Sequence, residues 1–290
     1  MSKLDFSEKD LRSLRIFCTV AQAGGFAAAE HQLNMSKSSI SRHVREVEEH
    51  LGVRLCERGP AGFELTAAGR IALEVAGTAL RSLEQIKPEI DAVSGRLSGT
   101  LSIGMVEHVM ADTHFKLPEA LSELKRIAPS VRPEISVMTF ANLNQALRER
   151  KVQIAIRGMY KKDRTFDYLT LFVEKHQVYK RKDAKESSLP LVYRPHPFVE
   201  QLLTDHGFVR GPDAGGLEAI AVLVSTGSYY GLLPSFYAEQ ISRRYKINPL
   251  GKSPVFHNTI CAITEASRPL SQGTKLFLSI LSQQHQATSE

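Results

Sequence analysis

At 290 residues the chain is longer than one small domain, and 42% hydrophobic against 23% charged residues is the make-up of a globular protein, not a disordered or fibrous one. No apolar run approaches the ~20 residues of a membrane helix, and MSKLDFSEKD carries no export core, so the expectations are no membrane partner and a cytoplasmic location. The net charge is +6, but residues 1–70 hold ten Lys and Arg against nine Asp and Glu, and residues 71–98 hold three against four. The excess therefore lies in residues 99–290, and any nucleic-acid argument must rest on local clustering rather than on net charge.

In chain order, Asp10 to Ala23 has a helical stripe of Leu11, Leu14, Phe17, Val20 and Ala21, ended by Gly24-Gly25. Phe26 to Glu48 then reads as two short helices joined by a turn. Ser36 is placed to cap the second, because its hydroxyl can accept from orphan N–H groups of the first turn. Ile40, Val44 and Val47 form the apolar back of that helix. Its opposite face carries Lys37, Ser38, Ser41, Arg42 and Arg45 without an acid, the arrangement a major-groove reader needs. Arg58-Gly59-Pro60-Ala61-Gly62 is a turn by composition, and Phe63-Glu64-Leu65 alternates like the return strand of a wing. Arg58, at the base of that wing, is placed to reach phosphates or a minor groove.

Thr66 caps a long helix in which Ala72, Ala76, Ala79, Leu83, Ile86, Ile90, Val93 and Leu97 recur as a coiled-coil seam, with Pro88 predicted to kink or end it. The segment from Ser94 to Gly99 is a hinge by composition. Beyond it the pattern alternates: strand at Leu101–Gly104, helix from His114 to Ala128, strand at Ile135–Phe140, helix at Leu143–Arg150, strand at Val152–Ile156. This βαβαβ order predicts parallel pairing with right-handed crossovers. Tyr160 to Lys185 is read as basic and loop-rich around one strand, Leu169 to Val173. A second unit comes next, with strands at Leu191–Tyr193, Tyr230–Leu233 and Thr259–Thr264 and helices at Phe198–His206, Leu217–Ser225 and Gln272–Gln283. Cys18, Cys56 and Cys261 are too far apart for a metal motif, so no metal, no cofactor and reduced, packed thiols are expected.

From these residues the chain resembles the LysR-type transcriptional regulators over essentially its whole length. The resemblance is carried by Leu14-Arg15-Ile16-Phe17, Gly25-Phe26, Ala28-Ala29, Ser41-Arg42, Leu51-Gly52-Val53-Arg54-Leu55, Glu57-Arg58 and Leu65-Thr66-Ala67-Ala68-Gly69. More loosely, Gly99–Gly104, Leu117-Pro118, Gln153–Ile156, Gly231–Pro234 and Pro269–Ser271 fall at effector-domain landmarks. The resemblance implies an α/β fold with an N-terminal winged helix-turn-helix (residues 1–66), a long linker and dimerisation helix (67–97), and a two-lobed periplasmic-binding-protein-like effector domain (98–290). Lobe I is expected over about 98–174 and 265–290, lobe II over about 175–264. It further implies a homodimer or homotetramer on double-stranded DNA with inverted repeats, a small-molecule effector between the lobes, and contact with RNA polymerase. The sequence departs from the family's habit at Cys56 (mostly Phe), Lys37-Ser38 (Gln-Pro or Gln-Ser), Gln153 (often Asp) and a short connection over Lys180 to Ser188.

For the effector, the ends of parallel strands are the place to look. They present Glu107-His108, Thr139, Arg157-Gly158, Tyr193-Arg194 and Ser228-Tyr229. His108, Thr139 and Arg157 are expected to hold a carboxylate, with Tyr193 and Ser228 opposite, and Arg157, Arg194 and the charge excess favour an anionic metabolite. No catalytic residue is assigned: a cleft with Glu107, His108 and Glu218 would suit an enzyme, but no nucleophile elbow, phosphate loop or HExxH is present. A transport-type binding protein would need export. A peroxide switch would need a second cysteine beside Cys261 in the effector domain.

Overall fold

The structure is a computed structural model that describes residues 6–59, 62–107, 109, 112–184 and 188–286. It divides into two compact units, Met1–Ile90 with Glu149–Lys151, and Asp91–Arg148 with Val152–Glu290.

In the first unit, α1 (Glu8–Gln22) starts earlier than the apolar period suggests, because a capping box precedes it. The Ser7 amide donates to Asp10 Oδ2 at 2.8 Å while Ser7 Oγ accepts from the Asp10 amide. Helices α2 (Phe26–Leu33) and α3 (Lys37–Leu51) are joined through Asn34, which takes the left-handed conformation, φ 49°. Strands β1 (Cys56–Gly59) and β2 (Gly62–Leu65) pair antiparallel as the wing. Phe17, Val20, Ile40, Val44 and Leu55 are sealed in one core. Helix α4 (Ala67–Glu84) closes over that core at Gly69. A Cβ there would sit 1.9 Å from the Leu55 carbonyl oxygen, so only glycine fits.

Helix α4 gives way at Gln85 to a separate α5 (Ile86–Val93). Pro88 accounts for the break, since its ring displaces the carbonyl of residue 84 and removes a ladder N–H. The seam differs from the predicted one at its start. Ala72 packs against the domain core and Ala76 is buried in it, while Ile71 (65% exposed) and Val75 (64%) face outward; Leu83, Ile86, Ile90 and Val93 are also exposed. No described helix is long and apolar enough to cross a membrane.

The second unit is built on one seven-stranded sheet. Strands β3 (Ser98–Val106), β4 (Ser130–Met138) and β5 (Ile154–Gly158) run parallel with β3 between the others, and helices α6 (Leu117–Ile127) and α7 (Phe140–Arg148) form the crossovers. Gln153 ties β5 to β3: its Oε1 accepts from the Ser102 amide and its own amide donates to Ser102 Oγ. The basic segment read as mostly loop is instead β6 (Phe166–Arg181), a strand of sixteen residues. Glu174, His176 and Val178 are buried at alternate positions, with Lys175 exposed between the first two, a strand pattern that the neighbouring Lys and Arg residues disguise.

Strand β11 (Val255–Glu265) pairs with β6 along its length, and its Ile260–Ile263 stretch also pairs with β5. That stretch of β11 therefore lies between β5 and β6 in the same sheet. Lobe II adds β7 (Leu191–Tyr193), α8 (Pro197–Asp205), β8 (Arg210–Asp213), α9 (Leu217–Ser225), β9 (Gly231–Pro234), α10 (Ser235–Tyr245) and β10 (Ile247–Pro249). Helix α11 (Gln272–Gln286) returns to pack on α6 and β3, burying Phe277, Ile280 and Leu281.

Candidate nucleic-acid interface and effector cleft

The recognition surface results from how α3 is held. Ile40, His43, Val44 and Val47 are its buried face. His43 Nδ1 is 2.9 Å from Ser13 Oγ on α1, whose hydroxyl also lies 3.1 Å from Glu46 Oε2. At the other end the Glu30 carboxylate accepts from the Lys37 amide at 2.6 Å and Ser36 Oγ from the Ser39 amide. An acid at the first turn satisfies orphan donors and suits the helix dipole. These ties fix the roll of α3, so Lys37, Ser38, Arg42 and Arg45 are exposed and Ser41 is partly exposed. Lys37, Arg42 and Arg45 make no side-chain ion pair among the described residues, leaving three cations on one face unspent. The side chain of Arg58 lies outside the described residues; its backbone is in β1, paired with Phe63.

In the second unit a cavity of about 590 Å³ opens between the lobes. Lobe I contributes Val106, Glu107, Val137, Met138, Thr139, Phe140 and Gly158; lobe II contributes Arg194 to Pro197 and Ala214 to Leu217; Tyr160, Glu174 and Asn258 form part of the lining between them. Three helices start at this wall: α7 after Thr139, α8 after His196, α9 after Gly216. Helix N-termini carry partial positive charge and favour anions.

The cavity lining holds a hydrogen-bonded polar chain. His196 Nδ1 accepts from the Phe198 amide, which assigns the proton to Nε2, and Nε2 then donates to the Tyr160 hydroxyl at 2.8 Å. Asn258 Nδ2 donates both to Tyr160 Oη and to Glu174 Oε1, at 3.2 and 2.7 Å. Tyr160 Oη thus accepts twice, and its own proton remains for an acceptor. Burial, then the neighbouring Glu174, pushes its phenol above the ordinary range. Asn258 fits because Gly158 lies beneath it, where a Cβ would come within 2.4 Å of the amide. His176 Nε2 completes the pairing of Glu174 Oε1 at 2.7 Å, both side chains being sealed from solvent.

Arg194 is the cationic member. Its Nε is shut off from solvent, and its guanidinium, with five N–H donors, makes no hydrogen bond or ion pair among the described residues. Desolvation opposes its charge, and Tyr160 and Glu174 nearby offset part of that cost.

Of the expected effector residues, Thr139 lines the cavity, its Oγ1 accepting from the Asn142 amide. His108 lies outside the described residues. Arg157 does not line the cavity: it is buried under Phe140, 4.5 Å from the ring centroid, with Nε donating to Asn144 Oδ1 and Nη1 to the Gly158 carbonyl. Tyr193 also points elsewhere, donating to Glu200 at 2.7 Å with Arg210 stacked over its ring. Ser228 is exposed and away from the lining, its amide donating to Thr226 Oγ1. Strand alternation explains two of these: Gly158 and Arg194, each one residue on, face the cavity instead. Sequence reasoning does not single out Tyr160, Glu174, His176, His196 or Asn258; Glu174 and His176 carry the one legible signal, polar residues at the inward positions of an alternating segment.

Cys18, Cys56 and Cys261 are free and buried. Burial raises the Cys18 thiol to about 11 and moves Cys261 in the same direction.

Comparison with known proteins agrees with this architecture. Residues 11–70 match the bacterial regulatory helix-turn-helix protein, lysR family, and residues 94–286 match the LysR substrate binding domain. The HTH-type transcriptional activator BauR of Pseudomonas aeruginosa is 31% identical over 261 residues, covering 84% of this chain and 85% of that protein. Among solved structures, CbnR, a LysR family transcriptional regulator, superposes with a TM-score of 0.65 at 20% identity, over 95% of this chain and 99% of that one. Full-length CbnR complexed with its target DNA gives 0.63 at 19% identity, over 94% and 99%. With a helix-turn-helix and wing at one end, a two-lobed α/β cleft at the other and both family matches along its length, this chain belongs to the LysR family of bacterial transcriptional regulators.

Proposed function

We propose that the protein is a cytoplasmic, DNA-binding regulator without catalytic activity, which sits as a dimer or tetramer on an inverted-repeat promoter site and answers to a small molecule bound between its lobes. Lys37, Ser38, Ser41, Arg42 and Arg45, with Arg58 in the wing, are the proposed DNA contacts. The unspent cations on one face of α3 support this, as does the fold shared with a regulator captured on its target DNA. The exposed apolar seam from Ile71 to Val93 supports pairing through the linker helices. RNA polymerase is the proposed downstream partner.

The observation that carries the effector reading is Arg194: a guanidinium with no hydrogen bond among the described residues, on a cavity wall where three helices begin, beside a tyrosine proton that awaits an acceptor. Leaving the shut-off Nε donor unmet costs free energy that an anionic group on the ligand restores. Thr139 and Tyr160 are the proposed neutral contacts. Arg157 acts as a brace for Phe140 and α7, and Tyr193 and Ser228 lie away from the lining. Ligand then biases lobe closure, and closure alters the spacing of paired DNA heads.

Calorimetry against a metabolite library tests this reading. Ligands bearing a carboxylate or phosphate should bind, and Arg194→Met should weaken them about ten- to a hundredfold while leaving DNA affinity intact. Unchanged affinity in that variant would refute the assignment.

A further inference from the structure

The charges on the cavity wall are mixed. Its formally charged side chains are Arg194, Glu174 and Glu107. Glu174 is spoken for, held by His176 and Asn258 and lying within electrostatic reach of Arg194. Glu107 is different. It projects from the end of β3 toward lobe II, with its Oε2 3.3 Å from the position a Cβ on Gly216 would take. Its carboxylate is exposed and makes no hydrogen bond or ion pair among the described residues. The adjacent start of α9 makes that charge tolerable in an open cleft. Closing the cleft over a simple anion would desolvate Glu107 beside a second negative charge, which is unfavourable unless a cation arrives with it.

We infer that the effector is amphoteric: an amine-bearing carboxylate whose anionic end meets Arg194 and the Tyr160 hydroxyl and whose ammonium meets Glu107. This rests on the cleft being the effector site, as proposed above. The remaining lining, chiefly Val106, Val137, Phe140 and Leu217, suits a short hydrocarbon spacer between the two ends. Glu107 is thus a specificity residue, one that admits an amino acid and discriminates against the alkanoate or dicarboxylate of equal length. A cation supplied by the ligand also links the lobes, because Glu107 belongs to one and Arg194 to the other.

The test is calorimetric titration of the full-length protein with α-amino acids and linear aminoalkanoates, alongside the alkanoate, dicarboxylate and alkylamine of each length. At least one amino acid should bind, and its single-charge and doubly acidic counterparts should be ~10- to 100-fold weaker. Glu107→Gln should weaken the amino acid by a similar factor and bring the alkanoate level with it, with an unchanged melting temperature in the absence of ligand confirming an intact fold. The inference is overturned if an alkanoate or dicarboxylate binds as tightly as its amino counterpart, if Glu107→Gln leaves amino-acid affinity unchanged, or if no amino acid in the panel binds. The cleft reading fails separately, if a bound ligand of any class keeps its affinity in Arg194→Met.

Discussion

Replacing Ile90 with alanine probes how two copies come together. Ile90 is 63% exposed on α5, in line with Ile86 (53%) and Val93 (90%). Full burial of an isoleucine side chain stabilises by about 1.5–3 kcal/mol, so covering the exposed fraction contributes about 1–2 kcal/mol in each protomer. A two-fold interface counts the residue twice, giving about 2–4 kcal/mol for Ile90→Ala, or a dimer dissociation constant raised ~30- to several-hundred-fold. Sedimentation equilibrium or mass photometry across a dilution series reads this directly. Operator affinity should fall in parallel at protein concentrations where the dimer dissociates, while the monomer's thermal stability stays near wild type, since Ile90 is mostly uncovered within its own chain. A dissociation constant within threefold of wild type would refute pairing through this seam.

Other residues give equally specific outcomes. Lys37→Ala, at the first turn of α3, should shift base preference at one position of each half-site by ~1–3 kcal/mol, whereas Arg45→Ala should weaken all sequences alike and reduce the salt slope by about 0.9 for each phosphate it no longer neutralises; binding selections at several salt concentrations separate the two. His285 should make the protein acid-sensitive. Burial between Phe115 and Phe172 holds its pKa below the ordinary 6.5, its Nδ1 hydrogen bond to the Leu281 carbonyl and nearby Glu119 oppose that shift, and Lys116 adds to it. The unfolded chain then binds the proton first as pH falls below 6.5, so stability is lost from there down to the folded-state pKa, and His285→Gln should flatten denaturant midpoints over that window. Finally, Cys18, Cys56 and Cys261 should resist a thiol reagent at neutral pH until the chain unfolds, and Cys261→Ser should leave peroxide sensitivity of DNA binding unchanged; rapid labelling of the native protein would contradict their burial.

How much of the molecule is legible in the sequence varies by element. The helix-turn-helix is, because its apolar stripe, Ser36 cap and basic face are all local in the chain. The parallel β3–β4–β5 order is, because the apolar β3 and the fully buried β5 stand out against amphipathic crossovers. Strand β6 is not: its burial alternates only in part, and Lys175, Lys180 and Arg181 make a strand look like a basic loop. Helix α10 escapes too, since Pro234 reads as a stop although it is also the N-cap of that helix. In the cleft, Thr139 and Arg194, both named from the sequence, lie in the lining, but Arg157 and Tyr193 do not. Arg157 and Tyr193 fall one position short of Gly158 and Arg194, and a shift of one residue on a strand moves a side chain to the opposite face. The Tyr160–His196–Asn258–Glu174 chain joins residues up to 98 positions apart, a closeness only the folded sheet creates.

The most direct test of the link between cleft and operator is quantitative footprinting of the DNA upstream of the gene, with and without a ligand that binds the wild-type cleft, comparing wild type, Arg42→Ala and Arg194→Met. Arg42→Ala should lose occupancy in every condition. Arg194→Met should protect the same DNA as the ligand-free wild type and stay unchanged when ligand is added, while wild type extends, shortens or repositions its footprint. An Arg194→Met footprint that responds to ligand as wild type does would contradict the claim that this cleft governs the DNA-binding heads.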